Sequence, residues 1–185
     1  LLEGRMMLES LVHANIPCTY VLLNALSYVM MKDVTKVFLG AAALTSNGAV
    51  LSRVGTACVA LMAQKAARKI PVLVCCETYK ITPKVQLESI TSNELGNPRD
   101  LLSTACALDR SMDSNDPSSS ANTGAITTEF LEKNNHLHLL QILYDLTPSD
   151  FVSGVVCEMG IVPSSSVAVI LREMNQNGES MGDDF

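Results

Sequence analysis

The chain has 185 residues, a mass of 19.9 kDa, a formal net charge of -6 and a sequence pI near 5.0. This length predicts one domain with a sizeable core, and an acidic chain without clustered Lys or Arg argues against a direct nucleic-acid binder. The longest nearly apolar run, residues 20–31, contains Asn24 and Ser27 and falls short of the roughly 18 residues that a membrane-spanning helix needs.

The composition predicts partner chains and a reducing environment. Hydrophobic residues make up 48% of the chain, yet Trp is absent and aromatic residues make up only 4%, so we expect another chain to cover part of its apolar surface. The six cysteines show no paired spacing, and most lie in apolar runs, where Cys behaves as a small hydrophobe. A cytoplasmic protein is therefore expected. The first residue is not Met and no signal-like segment follows it, which indicates a piece of a longer polypeptide.

Helices and strands are predicted to alternate over much of the chain. Hydrophobic spacing and capping signals predict, in chain order, a helix at 3–14, a strand at 19–23, a helix at 25–31 capped by Asn24, a strand at 36–40, a helix at 52–68, strands at 72–76 and 142–144, and helices at 150–159 and 164–173. This alternation favours the α/β class, with a Rossmann-like parallel sheet flanked by helices.

Residues 103–135 interrupt the pattern. They include the run SMDSNDPSSSANTG, which has almost no large apolar side chain and predicts a disordered insert, because it cannot bury enough surface to order itself. A core-like segment follows, so the domain is predicted to span residues 1–174. The polar residues 175–185 are expected to form a flexible tail.

The stretch at 37–56 predicts a ligand crevice. A strand is followed by small residues, then by a turn at Asn47 and Gly48, and then by a helix expected to start near Ser52. Ligands of open α/β sheets bind beyond the carboxyl ends of the strands, and a helix N-terminus with Arg53 beside it favours an anion.

Two further polar groups follow predicted strands. The strand at 72–76 is followed by Glu77, Thr78, Tyr79 and Lys80, which are expected to contact a ligand, to form a polar interface rim or to lie in a solvated loop. Asp145 either reaches the same crevice or only fixes the turn at Thr147.

Sequence motifs for common cofactors are missing. The chain has no G-x-G-x-x-G after a strand, no phosphate loop, no H-E-x-x-H and no C-x-x-C. Its three histidines, His13, His136 and His138, are scattered and are expected to be surface or packing residues. We therefore expect no metal site and no cofactor. Cys75 and Cys76 are expected to pack in the core, with Cys76 near the rim of the crevice.

Several longer motifs carry a family resemblance over residues 1–172, apart from the insert. The runs LGAAALTSNGAVLSRVGT, PVLVCCETYK, SNEL, YDLTP and IVPSSSVAVILR resemble the family that joins the regulatory subunits of the exchange factor for translation initiation factor two, the delta type in particular, with two sugar-phosphate isomerases. The resemblance implies the C-terminal α/β domain of a larger subunit. The family's N-terminal helical region and the first strand of its α/β domain would precede Leu1.

The resemblance also implies a loss of isomerase chemistry. The isomerases of the family carry G-A-D-R where this chain has Gly-Ala-Ala-Ala at 40–43, so Ala42 stands in place of their acid/base aspartate and cannot carry a proton. Their N-K pair aligns with Ser52 and Arg53, and their catalytic Cys would precede Leu1. The resemblance leaves a vestigial anion pocket, with the loop-and-helix frame kept at Asn47, Gly48, Gly55 and Thr56 and the positive charge kept at Arg53. From their places after predicted strands, Glu77 and Asp145 are expected to line the same pocket.

By the same resemblance, the function is that of a non-catalytic regulatory subunit of a guanine-nucleotide exchange factor. The implied partners are its alpha, beta, gamma and epsilon subunits and translation initiation factor two, including the phosphorylated alpha subunit of that factor. Interface residues are expected at Thr78, Tyr79, Lys80, Phe151 and Val155, and the isolated domain is expected to form homodimers.

Two other functions stay open. An active isomerase would need Glu77 or Asp145 as its acid/base group. A sensor of a phosphorylated sugar or a nucleotide would lose affinity on Arg53→Ala.

Overall fold

The computed structural model describes residues 3–32, 34–90, 93–98, 101, 136 and 138–179. The described α-helices are α1 Glu3–His13, α2 Leu26–Met30, α3 Thr56–Lys65 and α4 Val167–Glu179. The described strands are β1 Val37–Gly40, β2 Ala43–Thr45, β3 Val50–Arg53, β4 Val72–Cys75, β5 Ile81–Thr82, β6 Tyr144–Thr147, β7 Gly154–Cys157 and β8 Gly160–Val162. Short 3-10 turns lie at Leu23–Ala25, Thr78–Lys80, Ser149–Phe151 and Ser164–Ser166.

The first sheet has the order β1-β4-β7-β8. Strands β1, β4 and β7 are parallel, and β8 returns antiparallel to β7. Val72 and Val74 in β4 and Val155 in β7 are at most 1% exposed, as expected for strands of a parallel sheet that is covered on both faces. The predicted α/β fold with a parallel sheet is confirmed.

A second sheet, in the order β5-β2-β3-β6, was not predicted. Its centre is the antiparallel hairpin of β2 and β3, whose connection contains the predicted turn at Asn47 and Gly48. The predicted helix start near Ser52 is wrong, because Ser52 and Arg53 belong to β3. Helix α3 begins only at Thr56, after Gly55 has turned the chain with a φ of 102°.

Two buried clusters form the core. One lies between the sheets and α4, and it includes Leu44, Val50, Val74, Val155 and Val167. The other joins β1 and β4 to α2 and α3, and it includes Met30, Val37, Ala60, Ala63 and Val72. Ala60 and Ala63 of α3 are 0% exposed, so small side chains let this helix lie close to the sheet.

Two predictions near the start of the chain are wrong. Residues 19–23 are not a strand: Thr19–Leu22 run without regular structure and Leu23 opens a 3-10 turn. Their side chains favour extended backbone, but a strand also needs a neighbour to supply its hydrogen bonds. Asn24 does not cap a helix either, because it lies inside the 3-10 turn, and the N-cap of α2 is Ala25, which makes no side-chain capping bond.

The predicted helix at 150–159 is also wrong. This stretch holds the end of a 3-10 turn and all of β7, because a short apolar run in a fully buried strand cannot be told from a buried helix by spacing alone. The predicted strand at 142–144 lies slightly too early, since β6 begins at Tyr144.

The ends of the predicted domain are described only in part. The predicted insert at 103–135 lies outside the described residues. Helix α4 continues to Glu179, although a flexible tail was predicted from residue 175. Within the described ranges, every helix is too short or too polar to cross a lipid bilayer.

Candidate functional site

Asp145 closes the N-terminus of α3. One carboxylate oxygen, Oδ2, accepts hydrogen bonds from the backbone N–H groups of Gly55 at 2.7 Å and Ala57 at 3.0 Å. Asp145 is 7% exposed and lies in β6, which pairs antiparallel with β3. Two backbone donors at this helix N-terminus, those of Gly55 and Ala57, are therefore already bonded to a side chain of the same chain.

Burial sets the protonation behaviour of Asp145. Loss of solvent raises the pKa of this carboxyl, and the hydrogen bonds from Ala57 and Gly55 oppose that rise only in part. Its second oxygen, Oδ1, and the Oγ1 of Thr147 are both buried without a hydrogen-bond partner among the described residues. Residues two apart on a strand share a face, so both groups belong to the same buried side of β6.

Asn93, which the sequence analysis left without a role, holds the start of β6. Its side-chain N–H₂ donates to the Tyr144 carbonyl at 2.6 Å, and its side-chain carbonyl accepts from the Tyr144 backbone N–H at 3.3 Å. Ser89 Oγ accepts from the Leu146 N–H at 3.0 Å. The available signal was an asparagine at the end of the polar run SITSN at 89–93, because its amide offers both a donor and an acceptor to backbone.

A cleft of about 200 Å³ lies beside Ala42, and it is also lined by Ala43, Leu51, Asn93, Glu94 and Tyr144. The backbone N–H of Ala42 donates to the Leu51 carbonyl at 2.9 Å, and its side chain is exposed. A methyl group at this position offers the cleft neither a proton nor a charge.

Arg53 lies away from the position predicted for it. It is in β3 opposite Tyr144, and its guanidinium carbon lies 4.8 Å from the centre of the Tyr144 ring. The arrangement is a cation–π contact. The Thr56 hydroxyl also bonds within the chain, because it donates its hydrogen to the Arg53 carbonyl at 2.7 Å.

Asn47 and Gly48 form the tip of the β2–β3 hairpin and have other neighbours. The Asn47 side chain accepts from the Thr45 hydroxyl at 2.5 Å and donates to the Gln86 carbonyl at 3.4 Å. Gly48 packs against the backbone of Ser164. The contacts of these two residues are thus separate from those of Asp145, Gly55 and Thr56.

Glu77, Thr78, Tyr79 and Lys80 form a polar turn after β4. The Glu77 carboxylate lies 2.7 Å from the Lys80 ammonium, and this hydrogen bond lowers the pKa of Glu77 and raises the pKa of Lys80. The Thr78 backbone N–H donates to the Glu158 carboxylate at 3.0 Å. Tyr79 is 73% exposed, so an aromatic side chain projects into solvent from a turn that these hydrogen bonds hold in place.

Phe151 and Val155 lie elsewhere. Val155 is 1% exposed in the core, so its side chain is not on the surface and the prediction of an interface contact there does not fit this structure. Phe151 is half-buried against the cluster around α3. Of the five predicted interface residues, Thr78, Tyr79 and Lys80 lie together, with Tyr79 exposed and the other two half-buried.

A larger apolar surface was missed. It runs from α1 into β1, where nine apolar side chains are at least half exposed: Met6, Met7, Val12, Tyr20, Leu22, Leu23, Tyr28, Met31 and Phe38. Contiguous exposed apolar surface marks interaction sites in soluble proteins. The high apolar fraction with few aromatics was the signal, but composition does not say where the surface lies.

Comparisons with known proteins agree on one family. The model of the Initiation factor 2 subunit family matches residues 1–164. The chain is 43% identical to the translation initiation factor eIF2B subunit delta of Dictyostelium discoideum over 92% of its length, and 41% identical to that of Schizosaccharomyces pombe over 94%. It spans only 25% and 34% of these two relatives.

A solved structure supports the fold alone. The crystal structure of the Pyrococcus horikoshii OT3 translation initiation factor eIF-2B superposes with a TM-score of 0.56 and 20% sequence identity, covering 87% of this chain and 45% of that one. Together with the family match over most of the chain, these findings lead to one conclusion: the chain belongs to the Initiation factor 2 subunit family.

Proposed function

We propose that the chain is the C-terminal α/β domain of a delta-type regulatory subunit of the cytoplasmic guanine-nucleotide exchange factor for translation initiation factor two. The observation that carries this proposal is the identity of 43% and 41% to two eIF2B delta subunits over more than nine-tenths of the chain. The proposed partners are the alpha, beta, gamma and epsilon subunits and the substrate factor with its phosphorylated alpha subunit.

The geometry supports a structural and regulatory role over catalysis. Ala42 supplies no acid/base group, and the Gly55 and Ala57 N–H groups at the α3 N-terminus are bonded to Asp145. Glu77 is paired with Lys80 on the surface, so both carboxylates named as substitutes already have hydrogen-bond partners within the chain. Regulation then acts as a coupling free energy between the site of the phosphorylated substrate and the site of exchange, transmitted through packed subunits.

Affinity capture of the tagged full-length protein from its native lysate tests the assembly. We expect mass spectrometry to find the alpha, beta, gamma and epsilon types of subunit together with initiation factor two. Recovery of the chain alone at every salt concentration would overturn the proposal. Turnover of a ribose phosphate by the purified protein, lost on Glu77→Gln or Asp145→Asn, would replace it by the isomerase alternative.

A reconstituted exchange assay tests the regulatory part. Nucleotide release from initiation factor two is measured with the complete factor and with the factor that lacks this subunit. We expect inhibition by the phosphorylated substrate to disappear when the subunit is left out. Unchanged inhibition without the subunit would contradict a role for it in sensing the phosphorylated substrate, although it could still belong to the complex.

We propose that the turn at Thr78–Lys80 contacts a partner subunit through the exposed side chain of Tyr79. Rigid aromatic side chains at the centre of an interface supply a large share of the binding energy, and Tyr79 is 73% exposed beside the Glu77–Lys80 pair. We expect Tyr79→Ala to weaken subunit assembly by about 5- to 30-fold, which corresponds to about 1–2 kcal/mol. The affinity is measured by analytical ultracentrifugation of the reconstituted complex.

Leu87→Ala is the control for Tyr79→Ala. Leu87 is a large apolar side chain that is 86% exposed, and it lies outside both the turn at Thr78–Lys80 and the apolar surface along α1. Equal weakening by both variants would contradict a contact specific to the turn.

A further inference from the structure

Two thiols lie side by side at the carboxyl ends of β4 and β7. These strands are parallel, with Cys75 opposite Val156, and the Cys76 backbone N–H donates to the Val156 carbonyl at 3.0 Å. Cys76 and Cys157 are therefore the next pair along the two strands. Neighbouring strands lie about 4.8 Å apart, which is within the Cα separation of about 4.4–6.8 Å that a disulfide needs.

The two side chains also share a face. Val74 and Val155 are opposite each other and belong to the same buried cluster. Cys76 and Cys157 each follow two residues later, so both point to that side of the sheet. Cys75 points to the other face and is exposed.

A cleft gives access from outside. It has a volume of about 280 Å³ and is lined by Cys75, Cys76, Glu77, Val156, Cys157 and Glu158. Cys157 is half-buried, whereas Cys76 is 3% exposed. Of the two thiols, Cys157 is therefore the more accessible to a small oxidant in the cleft.

We propose that Cys76 and Cys157 form a reversible intrachain disulfide on oxidation by a peroxide. The Cys157 thiolate attacks the peroxide, an S–O bond forms as the O–O bond breaks, and the products are a sulfenic acid and hydroxide, which becomes water. The Cys76 sulfur then attacks the Cys157 sulfur, an S–S bond forms as the S–O bond breaks, and the departing oxygen leaves as water with the proton of Cys76. Two thiols lose two electrons, and one hydrogen peroxide becomes two waters.

The second step depends on pH. Burial raises the pKa of Cys76 to about 11, so Cys76 is a thiol at neutral pH and the step speeds up as pH rises. The product would covalently join the strand before Thr78 to the β7–β8 hairpin, which carries Glu158, the acceptor of the Thr78 N–H. Oxidation would thus tighten the connection beneath the exposed Tyr79.

Peptide mapping of the full-length protein after hydrogen peroxide treatment tests this. Trypsin without reductant yields peptides 70–80 and 134–172, of which the first contains both Cys75 and Cys76 and the second only Cys157. We expect the two peptides to be joined in the wild type and to separate on addition of dithiothreitol. Cys75→Ser is the matched control and keeps the joined species, whereas Cys157→Ser and Cys76→Ala remove it.

Trapping of the intermediate gives a second measurement. In Cys76→Ala, Cys157 should remain a sulfenic acid and react with dimedone. Joined peptides that disappear with Cys75→Ser, or peptides that stay separate while Cys157 is oxidised in the wild type, would overturn the proposal.

Discussion

Asp145→Ala should destabilise α3 more than any other single removal of a side-chain acceptor in the described chain, by about 2–4 kcal/mol. The reason is that the buried carboxylate accepts from the N–H groups of both Gly55 and Ala57, and an alanine leaves both donors without a partner. Hydrogen exchange measured by mass spectrometry on the full-length protein should show α3 amides exchanging about 30- to 800-fold faster, at tenfold per 1.4 kcal/mol.

Asp145→Asn is the matched control, because the amide keeps an acceptor oxygen and loses only the charge. We expect a change within about 1 kcal/mol. Equal exchange rates in the alanine variant and the wild type would contradict the capping role.

The pH dependence of the free energy of unfolding separates the effect of the Asp145 charge from the effect of its hydrogen bonds to α3. Burial raises the pKa of Asp145 above its ordinary value of 3.8, so the folded chain binds this proton more tightly than the unfolded chain does. The free energy of unfolding must then fall as pH rises from 3.8 to the raised pKa, and this contribution stays constant above it. Asp145→Asn should lack this slope in a series of urea denaturations, and an identical slope in the variant would assign it to another group.

Gly48→Ala should lower the free energy of unfolding by about 2–4 kcal/mol, because two costs coincide. The φ of Gly48 is +77°, which is the left-handed region, and an added Cβ would lie 2.7 Å from the backbone carbonyl oxygen of Ser164. The oxygen belongs to backbone, so it cannot swing away as a flexible side chain would. Urea denaturation of the purified protein measures the loss as a lower midpoint.

Two further variants separate the two causes of the stability loss in Gly48→Ala, which are backbone strain and the contact with Ser164. Asn tolerates left-handed backbone, so Gly48→Asn removes much of the strain but keeps the Cβ contact, and we expect most of the destabilisation to remain. Gly40→Ala is the neutral control, because nothing lies within 4 Å of its added Cβ. Full stability in Gly48→Asn would show that strain, and not the contact with Ser164, carries the cost.

The sequence predicted what local patterns determine. The strand near residues 72–76 is a continuous apolar run bounded by Pro71, and both features are visible in any short window. The helix predicted at 150–159 failed because Val155 and Val156 satisfy either period, and only the pairing of β7 with β4 selects the strand. A local pattern predicts a helix or a strand well where one hydrophobic periodicity dominates, and poorly where the whole segment is buried.

The candidate site was less predictable because its partners are distant in sequence. The bond from Gly55 N–H to Asp145 spans 90 residues, and the bond from Asn93 to Tyr144 spans 51. A side-chain cap from a remote strand leaves no spacing signal, so the N-terminus of α3 was expected to be open to an anion. The cation–π contact of Arg53 with Tyr144 could not be predicted from the sequence either, since it depends on the register of β3 with β6.

Hydrogen bonds and a β-bridge join residues 93–96 to residues 141–144. The Gly96 N–H donates to the Gln141 carbonyl at 2.8 Å, Leu95 bridges Ile142, and the Leu143 N–H donates to the Glu94 carbonyl at 3.0 Å. Residues 94–96 and 141–143 are thereby held side by side, and closing a flexible chain between two such fixed points costs only about 0.6 kcal/mol more for each doubling of its length. An insertion between these two anchors is therefore expected to cost the fold little stability.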